Sequence, residues 1–120
     1  MNTRKKHNER KERRQKRSRA KIYGTASIPR LVVFRSNRTI TTQLIDDEKG
    51  RTVAYAAATE LAVSEKKKSK VEQALLVGEL LAKKALGLKI KRAVFDRREY
   101  RYHGRVQALA DGARKGGLKI

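Results

Sequence analysis

Between residues 4 and 21 the chain carries Arg4, Lys5, Lys6, Arg10, Lys11, Arg13, Arg14, Lys16, Arg17, Arg19 and Lys21, opposed only by Glu9 and Glu12. A segment with no apolar run to bury cannot join a core, so the fold must be built from the residues beyond Tyr23. Arg, Lys, Glu and Gln are good helix formers, yet like charges at helical spacing repel. The run therefore predicts an arm that is frayed alone and ordered on a polyanion. The rest of the chain repeats the bias, with Lys+Arg 32 against Asp+Glu 12 and a formal charge of +20 over 120 residues. Nucleic acid is the first partner such a charge implies.

A length of 120 residues is that of one domain with a single core. The expected division is a basic arm over 1–23 and a globular domain over 24–120. Cysteine is absent, and His7 and His103 cannot supply a zinc site unaided. No metal, cofactor or small-molecule substrate is expected. No apolar run approaches the roughly 20 residues of a membrane helix, and the basic start lacks the apolar segment of a secretory signal. The expectation is a cytoplasmic protein with no membrane partner.

Gly24, Thr25, Ala26, Ser27 and Pro29 read as a linker. Arg30–Phe34 is a short apolar strand closed by the polar turn Arg35-Ser36-Asn37-Arg38. Thr39–Ile45 and Thr52–Ala58 continue it as an antiparallel meander, with Asp46–Gly50 as the second turn. Residues Glu60–Lys70 read as an exposed lysine-rich loop with one helical turn near Leu61. Ser69 and Glu72 have capping-box spacing, and Val71, Ala74, Leu75, Gly78, Ala82 and Ala85 follow the helical period, with Gly87 as a left-handed stop. Ala93-Val94-Phe95 is a fourth strand, set parallel to a neighbour by the preceding helix. Val106, Leu109, Ala110 and Ala113 mark a last helix from Gly104 to Gly116. The predicted class is α/β: arm, three strands, helix, strand, helix.

The connection Asp96–Arg105 concentrates cations, aromatics and a helix start. Helix N-termini favour phosphate, and a cation such as Arg105 in a first turn is disfavoured unless an anion answers it. Tyr100 and Tyr102 would share a face of an extended loop and could stack on bases, each worth about 1–3 kcal/mol, or else pack under the sheet and over the helix. His103 reads as a turn residue that can hydrogen-bond phosphate. Arg30, Arg35, Ser36, Asn37 and Arg38 form a second basic cluster, expected at the opposite end of the strands, whose guanidinium forks suit phosphate.

Two long motifs carry a resemblance. Phe95-Asp96-Arg97, Tyr100, Tyr102-His103-Gly104-Arg105-Val106 and Ala108-Leu109-Ala110-Asp111, with Arg30–Asn37 and Gln43–Asp47, resemble the family of the bacterial large-subunit ribosomal protein eighteen. The resemblance covers most of the chain, including the arm, and is faint from Ala56 to Lys70. It implies a protein that binds 5S rRNA in the central protuberance, touches 23S rRNA, lies beside another 5S-binding ribosomal protein and catalyses nothing. On the matching positions it implies RNA-facing Arg13, Arg14, Arg17, Arg19, Arg30, Arg35, Ser36, Asn37, Tyr100, Tyr102, His103, Gly104 and Arg105; Arg38 joins them from its turn. The chain departs from the family at Arg98 and Glu99, where small residues, often glycine, are usual, and at Gly112, where alanine is. A glycine there is expected to weaken the last helix by about 1 kcal/mol.

The family's fold is similar to that of ribonuclease H, whose nucleases hold metal on carboxylates of the first and fourth strands. Here Arg and Ser stand near the first strand instead, Asp46 and Asp47 lie in a turn, and Asp96 alone could stand for the fourth-strand acid. Asp96 reads instead as an arginine partner or turn residue. A nonspecific DNA-compacting or membrane-surface protein would need only the arm, whereas the tyrosine-bearing connection argues for shape recognition.

Overall fold

The computed structural model describes residues 3–19 and 22–120, and side chains from 6 to 17 and from 22 onward. The arm forms helix α1 (Thr3–Arg19), and the first strand β1 (Arg30–Arg35) comes after a short connection. Next are β2 (Ile40–Asp46), β3 (Arg51–Ala57), α2 (Val63–Lys66), α3 (Lys70–Gly87), β4 (Val94–Asp96) and α4 (Arg105–Lys115). The sheet order is β3-β2-β1-β4, with β1 antiparallel to β2, β2 antiparallel to β3, and β4 parallel to β1. The α/β class and the parallel seat of the fourth strand are as the sequence predicts.

Strand period decides which residues meet the helices. Leu31 and Val33 stand opposite Leu44 and Thr42, and with Ile40 and Ala56 they are buried. They pack with Ala74, Val77, Leu81 and Ala85 of α3 and Val106, Leu109 and Ala113 of α4 in one core. The Thr42 hydroxyl, buried on this face, donates to the Val32 carbonyl at 2.9 Å, so it is not stranded there. Glu60 ties the end of β3 down by accepting from the Ala57 N–H at 2.7 Å and from Lys84 Nζ of α3 at 2.6 Å.

α3 starts where its cap says: Ser69 Oγ accepts from the Glu72 N–H at 3.2 Å. Its end differs from expectation. Gly87 remains in the helix, and the left-handed residue is Lys89 at φ 63°, two positions on. The Ile90 N–H then reaches back to the Ala85 carbonyl at 2.9 Å, and buried Ile90 pins the turn in the core. Between β3 and α3 the chain makes a 3₁₀ turn at Ala58–Glu60 and then α2, with Leu61 buried rather than looped out.

Gly112 has a packing role besides its cost to helix propensity. A Cβ on it would lie 2.0 Å from the Leu75 carbonyl oxygen of α3, and one on Gly78 would lie 2.1 Å from the Leu109 carbonyl oxygen of α4. The two glycines let the helix backbones meet, so Gly112 serves the packing even though it weakens the isolated helix. The arm departs from expectation too. α1 is continuous despite its charge, and it is held from outside by Glu99, which meets Lys11 and Gln15 on one of its faces.

Candidate nucleic-acid interface

Because β1 and β4 run parallel, the chain leaves both strands at the same end of the sheet. The turn after β1 and the connection after β4, expected at opposite ends, are therefore neighbours. The Tyr100 hydroxyl donates to the Arg35 carbonyl at 3.0 Å and accepts from the Arg35 N–H at 3.1 Å. Arg105 Nη1 donates to the Ser36 carbonyl at 2.7 Å. One two-stranded seam thus becomes a single cationic platform.

Within the β1–β2 turn, Ser36 Oγ accepts from the N–H groups of Arg38 and Thr39, fixing the direction of Arg35 and Arg38, both exposed. Asn37 is exposed, and its carbonyl accepts from Lys70 Nζ at the start of α3. Gly104 sits at φ 57°, outside the range a side chain favours, and turns the chain into α4. The exposed His103 closes this corner by donating its N–H to the Arg101 carbonyl at 2.8 Å.

The tyrosines do not share a free face. Tyr100 is bound to β1, and Arg35 stands 5.0 Å over its ring. Tyr102 packs edge-on against Phe95 at 5.7 Å and accepts from Arg114 Nη1 at 2.7 Å, yet remains 41% exposed. Of the two, Tyr102 retains open ring surface for a base.

Arg30 is displaced from the set. It is 6% exposed, and its guanidinium donates to Asp47 Oδ1 and Oδ2 at 3.0 Å and to fully buried Asp96 at 2.7 Å. Hydrogen bonds to Asp47 raise its proton affinity against the cost of burial, with Asp96 adding to them. Asp47 also accepts from the Gly24 N–H at 2.7 Å, so the group locks the start of the domain to both strands. Arg30 is a structural ion-pair centre that offers no fork to a ligand. The acid on the fourth strand is the arginine partner the sequence suggested.

Arg105 is different. Burial, and behind it the positive charge of Arg35, pull its proton affinity below the ordinary arginine value. Its Nε is buried and makes no hydrogen bond. Two guanidinium groups held close enough to repel, with backbone carbonyls as the nearby acceptors, suit an anion.

α1 lies across this platform. A cleft of about 560 Å³ is lined on one side by His7, Lys11 and Arg14 and on the other by Arg35, Glu99, Tyr100, Arg101, His103 and Gly104. A second, of about 270 Å³, is lined by Arg14, Arg17, Arg97, Arg98, Glu99 and Arg101. Arg14 and Arg17 thus join the loop residues, Arg13 is exposed outside both clefts, and the side chains of Arg19 and Lys21 fall outside the described residues. Lys11, Arg97 and Arg101 line these clefts but are not among the RNA-facing positions expected from the sequence. The helical spacing of His7, Lys11 and Arg14 is the signal that could have found the first of them, since those positions share one face.

Comparison with known proteins gives the family. Residues 5–120 match the family model described as ribosomal L18 of archaea, bacteria, mitochondria and chloroplast. The large ribosomal subunit protein uL18 of Leuconostoc mesenteroides is 55% identical over 107 residues, 89% of each chain. The protein of the same name from Thermomicrobium roseum is 49% identical over 92% of this chain and 91% of its own. That from Thermotoga neapolitana is 50% identical over 94% of both. A match over nearly the whole length, most of helix α1 included, is more than shared charge could produce, and the chain belongs to the ribosomal L18 family.

Proposed function

We propose that this protein is a structural component of the large ribosomal subunit, in the cytoplasm, that binds 5S rRNA and helps attach it to 23S rRNA in the central protuberance, beside another 5S-binding ribosomal protein. The observation that carries the reading is the convergence of α1, the β1–β2 turn and the Arg97–Arg105 connection on one cationic platform of fixed shape. Phosphate contacts supply affinity, while an exposed ring and a rigid set of guanidinium groups can select a folded RNA. The arm is one RNA-binding unit, and residues 24–120 form the other.

A ribonuclease H-like arrangement of the sheet fits the parallel β1–β4 pair, but the chemistry at that pair is not nucleolytic. Arg30 stands on β1 where a metal-binding acid would be needed, and it occupies Asp96 on β4. Among the described residues no group of three His, Asp or Glu side chains could hold a metal ion. The proposed role is positional.

Chemical protection mapping of 5S rRNA with the isolated full chain tests the reading. The expected result is a compact footprint that persists against tRNA-sized competitor at raised salt, and that Arg105→Ala with Tyr102→Ala weakens relative to the competitor. Binding by charge alone would fall with salt equally for both RNAs, with a log-log slope near about −0.9 per neutralised duplex phosphate. Equal competition by the unrelated RNA overturns the proposal.

A further inference from the structure

Among the described residues, Glu99 is the only acid lining the two clefts between α1 and the Arg97–Arg105 connection. Its side chain is 9% exposed. It accepts from Gln15 Nε2 at 3.0 Å and lies 3.5 Å from Lys11 Nζ, four residues away on the same face of α1, and 3.7 Å from Arg98 Nε. Arg14, Arg17, Arg97 and Arg101 surround the same space. A single carboxylate ringed by cations occupies the place a phosphate would take.

We propose that Glu99 determines the RNA specificity of this protein by acting as an internal substitute for phosphate, docking α1 on the platform until a correctly shaped RNA displaces it. The inference rests on the reading of this face as RNA-binding. Burial opposes the charge of Glu99, but its own N–H, Gln15, Arg98 and Lys11 together hold the carboxyl below the ordinary glutamate range. The contact is therefore made by an ionised group at neutral pH. Any RNA phosphate that reaches Lys11 and Arg98 must first take these cations from Glu99. An unstructured RNA offers the same phosphates without the contacts to the β1–β2 turn and Tyr102, so it cannot offset that loss, whereas a folded target can. Indiscriminate binding is suppressed more than specific binding.

The test compares Glu99→Gln and Glu99→Ala with Glu12→Gln, which removes the same unit of negative charge but leaves the dock intact. Hydrogen exchange of amides 8–17 in the free full chain should quicken roughly three- to tenfold in the Glu99 variants, as loss of one such contact predicts, and remain unchanged in Glu12→Gln. Gln15→Ala, which cuts the contact from the helix side without touching the core, should quicken it likewise. Affinity for a mixed-sequence single-stranded RNA should rise by a similar factor in the Glu99 variants beyond any rise in Glu12→Gln, while affinity for 5S rRNA rises less. Unchanged arm exchange, or equal RNA effects in Glu99→Gln and Glu12→Gln, would overturn the inference. Because the exchange readout uses no RNA, a wild-type chain lacking preference for 5S rRNA would sink the proposed function while leaving the docking of α1 to be judged by itself.

Discussion

Arg30 shows how one residue type serves opposite ends. The residues after it are apolar, and its partners Asp47 and Asp96 lie 17 and 66 residues away, so nothing local marks it as an ion-pair centre. Arg35, five positions on, emerges past the last buried residue of the strand and stays exposed. Both are arginine on one strand, and burial alone separates their roles. Removing one partner of a buried pair leaves the others uncompensated, commonly at a cost of about 3–5 kcal/mol. Arg30→Ala is expected to lower stability by about that amount in denaturant titration, while the RNA-binding salt slope of the remaining folded fraction stays at the wild-type value. A flattened slope with unchanged stability would mean that Arg30 meets phosphate after all.

Helices α3 and α4 form an element pair whose closeness is set by two glycines. Gly78 and Gly112 each face a carbonyl oxygen of the other helix, and neither backbone can move aside without disturbing the core residues Val77 and Ala113. Replacing Gly112 by alanine gains about 1 kcal/mol of helix propensity. Overpacking typically costs about 1–3 kcal/mol, or somewhat more where backbone is struck. Gly112→Ala should therefore lower the thermal midpoint, and a raised midpoint would show that the helices can part cheaply. Legibility from sequence divides along the same line. The Ser69 cap and the β-branched strands are readable because their causes lie within a few residues. The tolerance for a mid-helix glycine is not, since its cause is Leu75 on another helix. The end of α3 is hidden for a similar reason: Ile90 finds its place in the core and moves the left-handed turn from Gly87 to Lys89.

At the scale of the whole molecule, charge and shape are divided between parts. α1 has almost no apolar content and stays outside the core, whereas buried structure begins at Gly24, whose N–H and carbonyl are fixed by Asp47. A chain lacking residues 1–21 is expected to unfold cooperatively at close to the wild-type denaturant midpoint, to bind RNA more weakly, and to show a shallower salt slope. Loss of cooperative unfolding would move the domain boundary into the arm. The basic character of the platform is plain in the sequence, as are most of its members. Its assembly is not, because it depends on which end of the sheet each connection occupies, and that is set by the parallel pairing of strands from the two halves of the chain.

Because β1 pairs with β4, the platform cannot close until late in synthesis. The arm and β1 leave the ribosome early, but β4, the Tyr100 latch and α4 are among the last segments made. A growing or truncated polypeptide carries much of the positive charge but not the closed platform. On the proposed reading, choice among RNAs arrives only with completion of the chain.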